Sequence, residues 1–490
     1  VDRMRAKPNE TAMMGILFNY ANTLVNYGFA VIYVIVLTRF VPIIQYGYYN
    51  AIIAFTGIVG LFFPSLGVDN AIAKEGAETH AKGLDVTPYY SAMTALSLAI
   101  TMANSIALLA AIPLLRAQKI PDSLMPILYI IISSNLLNAI AGPMGFYLWL
   151  TRRTATQGKG SALGSLAYRL SEIALIIIMR NVYAIAIASL LNVATTLSYF
   201  SYNVRLIPSI KLGLIVLRRG IRRFLNSGFQ FWLAAYLNGI GSNVLSYLVY
   251  VYLGPQYSAL FGISTVMVGA VVNFSQAVGN VFGSTAAHSK ALGGDVGGIA
   301  MEYSMAAIAV AGLLSIAAIA ALPLLPMIHV LNGDYAAAIP YAALLFGLSP
   351  LTALDVVYMT YYWVMGRGWS AVQRAAVGVS ISIALFIMAR GMGLYAAVFA
   401  SYVGFLATAI LYWLNNRPWS PRMWFTLATS TLLPMIGAII YVKYLDWPLP
   451  QLIAGAVLIL LLLLVKPLPR SAVNQVPPML RRAISWFTKD

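Results

Sequence analysis

The strongest constraint on this chain is the recurrence of apolar runs, each about 20 residues long, from one end of the sequence to the other. A helix of that length crosses the hydrocarbon core of a bilayer, about 30 Å thick. Inside that core each backbone N–H and C=O must be satisfied without water, which leaves helices as the form such runs can take. Composition agrees. Charged residues make up 9% of the chain and hydrophobic residues 60%, whereas a soluble domain carries roughly 25% charged residues.

Fourteen runs can be counted, near 12–38, 45–66, 86–115, 123–150, 161–180, 182–207, 224–253, 257–282, 297–331, 336–365, 370–390, 393–414, 423–443 and 449–466. The expected fold is therefore an all-α integral membrane protein with about fourteen transmembrane helices. The 31 Lys and Arg residues are distributed unevenly over the connections, and 24 of them fall on alternate ones. That side collects the N-terminus and the segments holding Lys74 and Lys82, then Arg152, Arg153 and Lys159. It continues through the 205–223 connector, Lys290, Arg367 and Arg374, Arg417 and Arg422, and the tail. The opposite side holds only Arg39, Arg116, Lys119, Arg180, Arg390 and Lys443, leaving Arg169 as the one basic residue read within a run. Positive charge is retained in the cytoplasm during insertion, so both termini are expected to be cytoplasmic, in a multi-pass protein of the cell membrane. Two termini on one side require an even number of spans. Residues 1–10 are basic and polar and the first run is too long for a signal-peptide core, so no cleavable leader is expected.

The basic connector suggests a division into six, six and two. An N-terminal lobe would occupy 1–207, a basic cytoplasmic connector 208–223 and a C-terminal lobe 224–415. Two further helices would follow in 416–466 and a cytoplasmic tail in 467–490. The first and seventh runs enter from the same side, so the lobes would form a parallel pseudo-repeat.

Polar residues inside the runs are costly in lipid and therefore informative. The first run carries Asn19, Asn22 and Asn26 with Gly15, Thr23 and Tyr33 within an arc of about 100°. The fourth carries Asn135, Asn138 and Gly142, and the eighth Asn273, Gln276 and Asn280, both at i, i+3, i+7. The tenth presents Thr352, Asp355, Tyr358 and Tyr362 on one face. Such stripes either hydrogen-bond between helices or line a hydrophilic path, and four of them favour the path. Arg169 and Glu172, three residues apart, are either a self-neutralising pair or an oriented cation for an anionic group. Asp355 has no base near it in sequence and is either paired across helices or a protonatable coupling site. Arg39 ends the first run and can snorkel to the interface.

Several chemistries are excluded. Without cysteine there are no disulfides or thiolate sites, and His80, His288 and His329 have no partners at metal-ligand spacing. Gly158-Lys159-Gly160-Ser161 lacks the upstream Gly and the Lys-Ser/Thr pair of a nucleotide-binding loop. No connection is long enough for a catalytic domain. The expectation is a transporter without cofactor or metal and not an enzyme, whose positive charge answers to membrane lipids and not to nucleic acid.

After Leu37 the chain reads TRFVPIIQYGYYNAIIAFTGIVGLFFPSLGVDNAIAKEGAE. Arg39, Pro42, Tyr46-Gly47-Tyr48-Tyr49 and then Leu66-Gly67-Val68-Asp69 keep the order and spacing of an N-terminal motif. In this the segment resembles polysaccharide flippases of the Wzx type, members of the multidrug/oligosaccharidyl-lipid/polysaccharide (MOP) exporter superfamily. The segment LGPQYSALFGIS resembles the start of the second lobe in the same family. The resemblance implies two six-helix lobes around a central cavity that opens alternately to either face. The implied substrate is a lipid-linked oligosaccharide or polysaccharide repeat unit, with its phosphate met by Arg169 or Arg39. It leaves room for a coupling ion, H+ or Na+. A multidrug or metabolite antiporter coupled to a cation is the alternative within the superfamily.

Overall fold

The structure, a computed structural model, describes residues 29, 32–151, 153–291, 293–327, 331, 333–416, 419–443 and 448–465. The described residues are helical with no strand. In chain order the helices are α1 (32–40), α2 (Ile43–Leu61), α3 (Val68–Ala81), α4 (Thr87–Ala110), α5 (Ile112–Ala117) and α6 (Pro126–Leu150). Next come α7 (Thr154–Met179), α8 (Tyr183–Asn203), α9 (Ile210–Leu253), α10 (Pro255–Ala291), α11 (Val296–Ala321), α12 (Leu324–Met327) and α13 (Gly333–Ala336). The last five are α14 (Ile339–Met365), α15 (Gly368–Ala389), α16 (Leu394–Asn415), α17 (Pro421–Lys443) and α18 (Pro448–Val465). Each predicted run from the second to the fourteenth coincides with one long helix. Most of the first run, with Asn19, Asn22 and Asn26, lies outside the described residues. Among the described residues nine helices are both long and apolar enough to span a bilayer.

Three readings of the connections change. Within the connection between the second and third runs (67–85), residues Val68–Ala81 form α3. The basic connector is helical and continues without a break into the seventh run, giving the 44-residue α9. Arg374, counted with a loop, lies six residues inside α15, which starts at Gly368. Arg169 is therefore not the only basic residue within a membrane helix. A cation near a helix end is ordinarily solvated, so the place of Arg374 within the 370–390 run gave no sign that it is buried.

The chain forms two compact units, Val1–Gly239 and Ile240–Asp490, whose boundary falls within α9. In the first unit α7 packs along α8, and α6 packs on both α4 and α8. Small residues allow this. A Cβ at Gly164 of α7 would run into Thr196 Oγ1 and Asn192 Oδ1 of α8, the small-residue packing that brings membrane helices close. Gly164→Leu is expected to destabilise the first unit by about 1–3 kcal/mol through overpacking, read as a lower unfolding midpoint in detergent. An unchanged midpoint would mean that α7 and α8 do not pack at this distance.

In the second unit α14 is the hub, packed against α10, α11, α16 and α17, while α18 leans on α11 and α17. In the most apolar window of α14, 72% of residues are buried. Basic residues at the helix ends also have local work. Arg153 Nη1 donates to the Asn203 carbonyl at the end of α8 (3.1 Å). Lys290 Nζ donates to the Val364 carbonyl at the end of α14 (2.6 Å). Cations belong at helix C-termini, where the last carbonyls lack partners and the dipole is negative.

Candidate functional site

In the first unit the two halves of the N-terminal motif have separate duties. Pro42 has no N–H and is itself extended (φ −60°, ψ 136°), so α1 stops and α2 starts. Further on, Leu66 (φ 52°) and Gly67 (φ 77°) turn the chain through left-handed conformations. Ser65 Oγ donates to Asp69 Oδ1 at 2.8 Å, and the Asp69 carboxylate sits in the first turn of α3, where the dipole favours negative charge. Gly67 and Asp69 thus build a helix start. Gly47 is buried within α2.

Tyr46 does something else. Its hydroxyl is hydrogen-bonded with those of Tyr33 on α1 and with Asn50 on α2. Tyr33 in turn lies under the guanidinium of Arg169 on α7, 5.8 Å from its ring centroid. Arg169 Nη1 reaches Glu172 Oε2 at 2.8 Å, and its guanidinium also lies 4.9 Å from the Tyr168 ring. Tyr168 Oη donates to Glu172 Oε1 at 2.7 Å. Three helices therefore join in one polar network around a carboxylate.

The exposure of its members differs in a way that matters. The Glu172 side chain is 1% exposed and that of Arg169 19%. The acid is sealed in, whereas the cation keeps partial exposure. Arg169 is ten residues from the nearer end of α7 at Met179, about 15 Å along the axis. A guanidinium at that depth, oriented by a buried carboxylate and stacked on rings, can accept an anionic oxygen as a further ligand.

Arg39 is not part of this cluster. It is exposed at the end of α1, six residues beyond Tyr33. On α6, Asn135 is half-buried, Asn138 exposed and Gly142 exposed with open space beside it. Asn138 is the midpoint of α6, which runs Pro126–Leu150. An exposed amide at that depth is unfavourable against lipid and favourable against water or sugar. Asn273 on α10 is also exposed. The side chains of Gln276 and Asn280 lie outside the described residues.

In the second unit the open question about Asp355 is answered by a partner across helices. Arg374 Nη1 of α15 lies 3.1 Å from Asp355 Oδ1 of α14, with the two side chains 4% and 16% exposed. Tyr412 Oη of α16 donates to the same oxygen at 2.7 Å. Tyr412 stacks on Tyr358 at 4.9 Å between centroids, and Asn416 Nδ2 donates to Tyr362 Oη at 2.9 Å. Three helices are tied together here by a trio that the sequence scatters over 57 residues. Tyr168 could have been found from the sequence, since it is four residues before Glu172 on the same helical face. Tyr412 offered no local signal. Among the described residues no three His, Asp or Glu side chains converge on a metal position.

Residues 12–329 match the family model described as "Polysaccharide biosynthesis protein". No curated protein sequence matches the chain. Among solved structures, the lipid II flippase MurJ in an inward closed conformation superposes with a TM-score of 0.63 at 11% identity, over 91% of this chain and 98% of that one. The eukaryotic MATE transporter AtDTX14 gives 0.56 at 14% identity, over 86% and 99%. An inward-facing multidrug resistance MATE transporter of the MOP superfamily gives 0.53 at 15%, over 85% and 99%. At such identities the likeness is one of fold. With the family model covering well over half its length, the chain belongs to the polysaccharide biosynthesis protein family.

Proposed function

We propose that this protein moves a lipid-linked oligosaccharide or polysaccharide repeat unit across the cell membrane by alternating access, with both termini in the cytoplasm. The observation that carries this reading is Arg169, a partly open guanidinium deep in α7 whose charge is set by a sealed carboxylate. The headgroup of such a substrate is a phosphate or pyrophosphate bearing sugars. Arg169 meets the phosphate, and the amides Asn135 and Asn138 of the same unit meet the sugar hydroxyls. The lobes of this reading are 1–207 and 224–415, joined by 208–223 and followed by the 416–466 helices and the 467–490 tail. The lipid tail stays in the bilayer throughout. A cation-coupled antiporter needs an available acid at depth, whereas Glu172 and Asp355 each hold an arginine. If H+ or Na+ drives the cycle, it acts elsewhere than on these two pairs.

The test is reconstitution. In proteoliposomes loaded with a polyprenyl-pyrophosphate-linked oligosaccharide, the fraction reached by an impermeant sugar-oxidising reagent is followed over time. The protein is expected to make the inner-leaflet pool reachable, while empty vesicles leave it protected. If protein-containing and empty vesicles give the same protected fraction, and a labelled drug cation is transported instead, the flippase reading fails.

A further inference from the structure

The N-terminal arm of α9 has three distinct faces, all described within the first unit. One is packed. Val216 and Leu217 lie against the buried cluster of Val68, Ala71, Ile72 and Ala92 from α3 and α4. The approach is close, because a Cβ at Gly213 would meet the Ser91 carbonyl of α4. The Ser209 N–H donates to Ser91 Oγ at 3.1 Å. The arm is thereby fixed beside the first two turns of α4, which begins at Thr87, the level at which that membrane helix ends.

The other two faces have no such cover. Ile210, Leu214 and Ile221 are 53%, 53% and 42% exposed, and at 100° per residue they fall within about 40° of one another. Lys211, Arg218 and Arg222 fill the adjoining arc of about 40°, and all three are exposed. Ile215 and Arg219 extend the exposed surface beyond it. None of these basic side chains is held in an ion pair among the described residues. An apolar stripe beside a basic stripe is the pattern of a helix seated in a bilayer interface, with aliphatic side chains among the upper acyl carbons and cations among the headgroups. Water on the apolar stripe would be unfavourable, and a protein partner would have to carry a matching acidic ridge.

We infer that the 210–222 arm of α9 is a binding surface for anionic phospholipid headgroups, held in place by its packing on α3 and α4. Lys211, Arg218 and Arg222 contact the phosphates, and Ile210, Leu214 and Ile221 enter the interface. Basic residues near an anionic membrane surface each strengthen association about fivefold, an effect screened by salt. The arm thus selects anionic over zwitterionic lipid at this site.

The experiment uses the full chain in nanodiscs of mixed phosphatidylcholine and phosphatidylglycerol, with retained lipid counted by native mass spectrometry. The wild type is expected to retain phosphatidylglycerol in excess of its bulk fraction. The triple variant Lys211→Gln, Arg218→Gln, Arg222→Gln is expected to lose that excess at least about tenfold. The variant Ile210→Ser, Leu214→Ser, Ile221→Ser keeps every charge, so its insertion topology is undisturbed, and it is expected to lose at least half of the excess. Because the chain has no cysteine, Leu214→Cys carries an environment-sensitive fluorophore, whose emission should shift to the blue in anionic nanodiscs and back in high salt. Equal phosphatidylglycerol retention by wild type and charge variant overturns the proposal. So does an apolar variant that retains lipid unchanged, or a label at position 214 that reports bulk water in both lipids.

Discussion

Replacing Arg169 with alanine is expected to stop transport and to weaken the protein, and the two losses can be separated. Truncation leaves Glu172 as a buried carboxylate to which, among the described residues, Tyr168 donates. Breaking a buried pair in this way costs about 3–5 kcal/mol. The double variant Arg169→Ala, Glu172→Gln removes the stranded charge, and the glutamine carbonyl can still accept from Tyr168. Its unfolding midpoint is therefore expected to return close to that of the wild type. Transport is not expected to return with it. Losing a charge-assisted bond to phosphate should lower the rate by about 10- to 100-fold. Arg169→Lys keeps the charge but loses the planar stack on Tyr33 and Tyr168, so intermediate transport is expected. A double variant that is both stable and fully active would make the pair purely structural and remove Arg169 from the substrate path.

The second large effect is expected at the Asp355–Arg374–Tyr412 trio, with the opposite outcome for transport. Asp355→Ala leaves a nearly sealed guanidinium without its acid, and Arg374→Ala leaves a largely buried carboxylate without its cation. Each is expected to cost about 3–5 kcal/mol. Replacing the group as a whole is different, because well-packed apolar residues of similar volume can stand in for a buried pair without loss. The triple variant Asp355→Leu, Arg374→Met, Tyr412→Phe also removes the hydroxyl that would otherwise lose its acceptor. It is expected to unfold within a few degrees of the wild type and to retain transport within about threefold, a margin under 1 kcal/mol. Stability measured by fluorescence-detected size exclusion and transport in proteoliposomes read the two arms. A triple variant that is stable yet inactive would move the trio from packing into the transport cycle.

These two clusters illustrate how unevenly the site could be read in the sequence. Arg169 and Glu172 stand three residues apart on one helix, so their pairing follows from helix geometry alone. Tyr46 stood out as part of a local motif, but nothing local tied it to Tyr33 or, through that ring, to Arg169. The link exists because α1, α2 and α7 bring their polar faces together. Arg374 was counted with the loops although it falls within the 370–390 run, because a cation near a helix end is ordinarily solvated. Its acid lies on a neighbouring helix, and only packing reveals that the charge is compensated. The helical state of α3 and of the basic connector was hidden for a related reason. Both are too polar to register as spans and owe their order to the apolar cluster between them.

The sequence by itself determined that the chain is helical, that it crosses the membrane repeatedly and in what order its segments run. Those properties follow from the water-free hydrocarbon core, which acts on each segment separately and so leaves its mark in each segment's composition. Tertiary structure alone decided which ionisable groups are paired and how far each of them is buried. It also decided which face of the α9 arm is left uncovered. Each of these depends on what a neighbouring helix brings within about 3 to 6 Å, and the sequence does not encode that proximity in any local pattern.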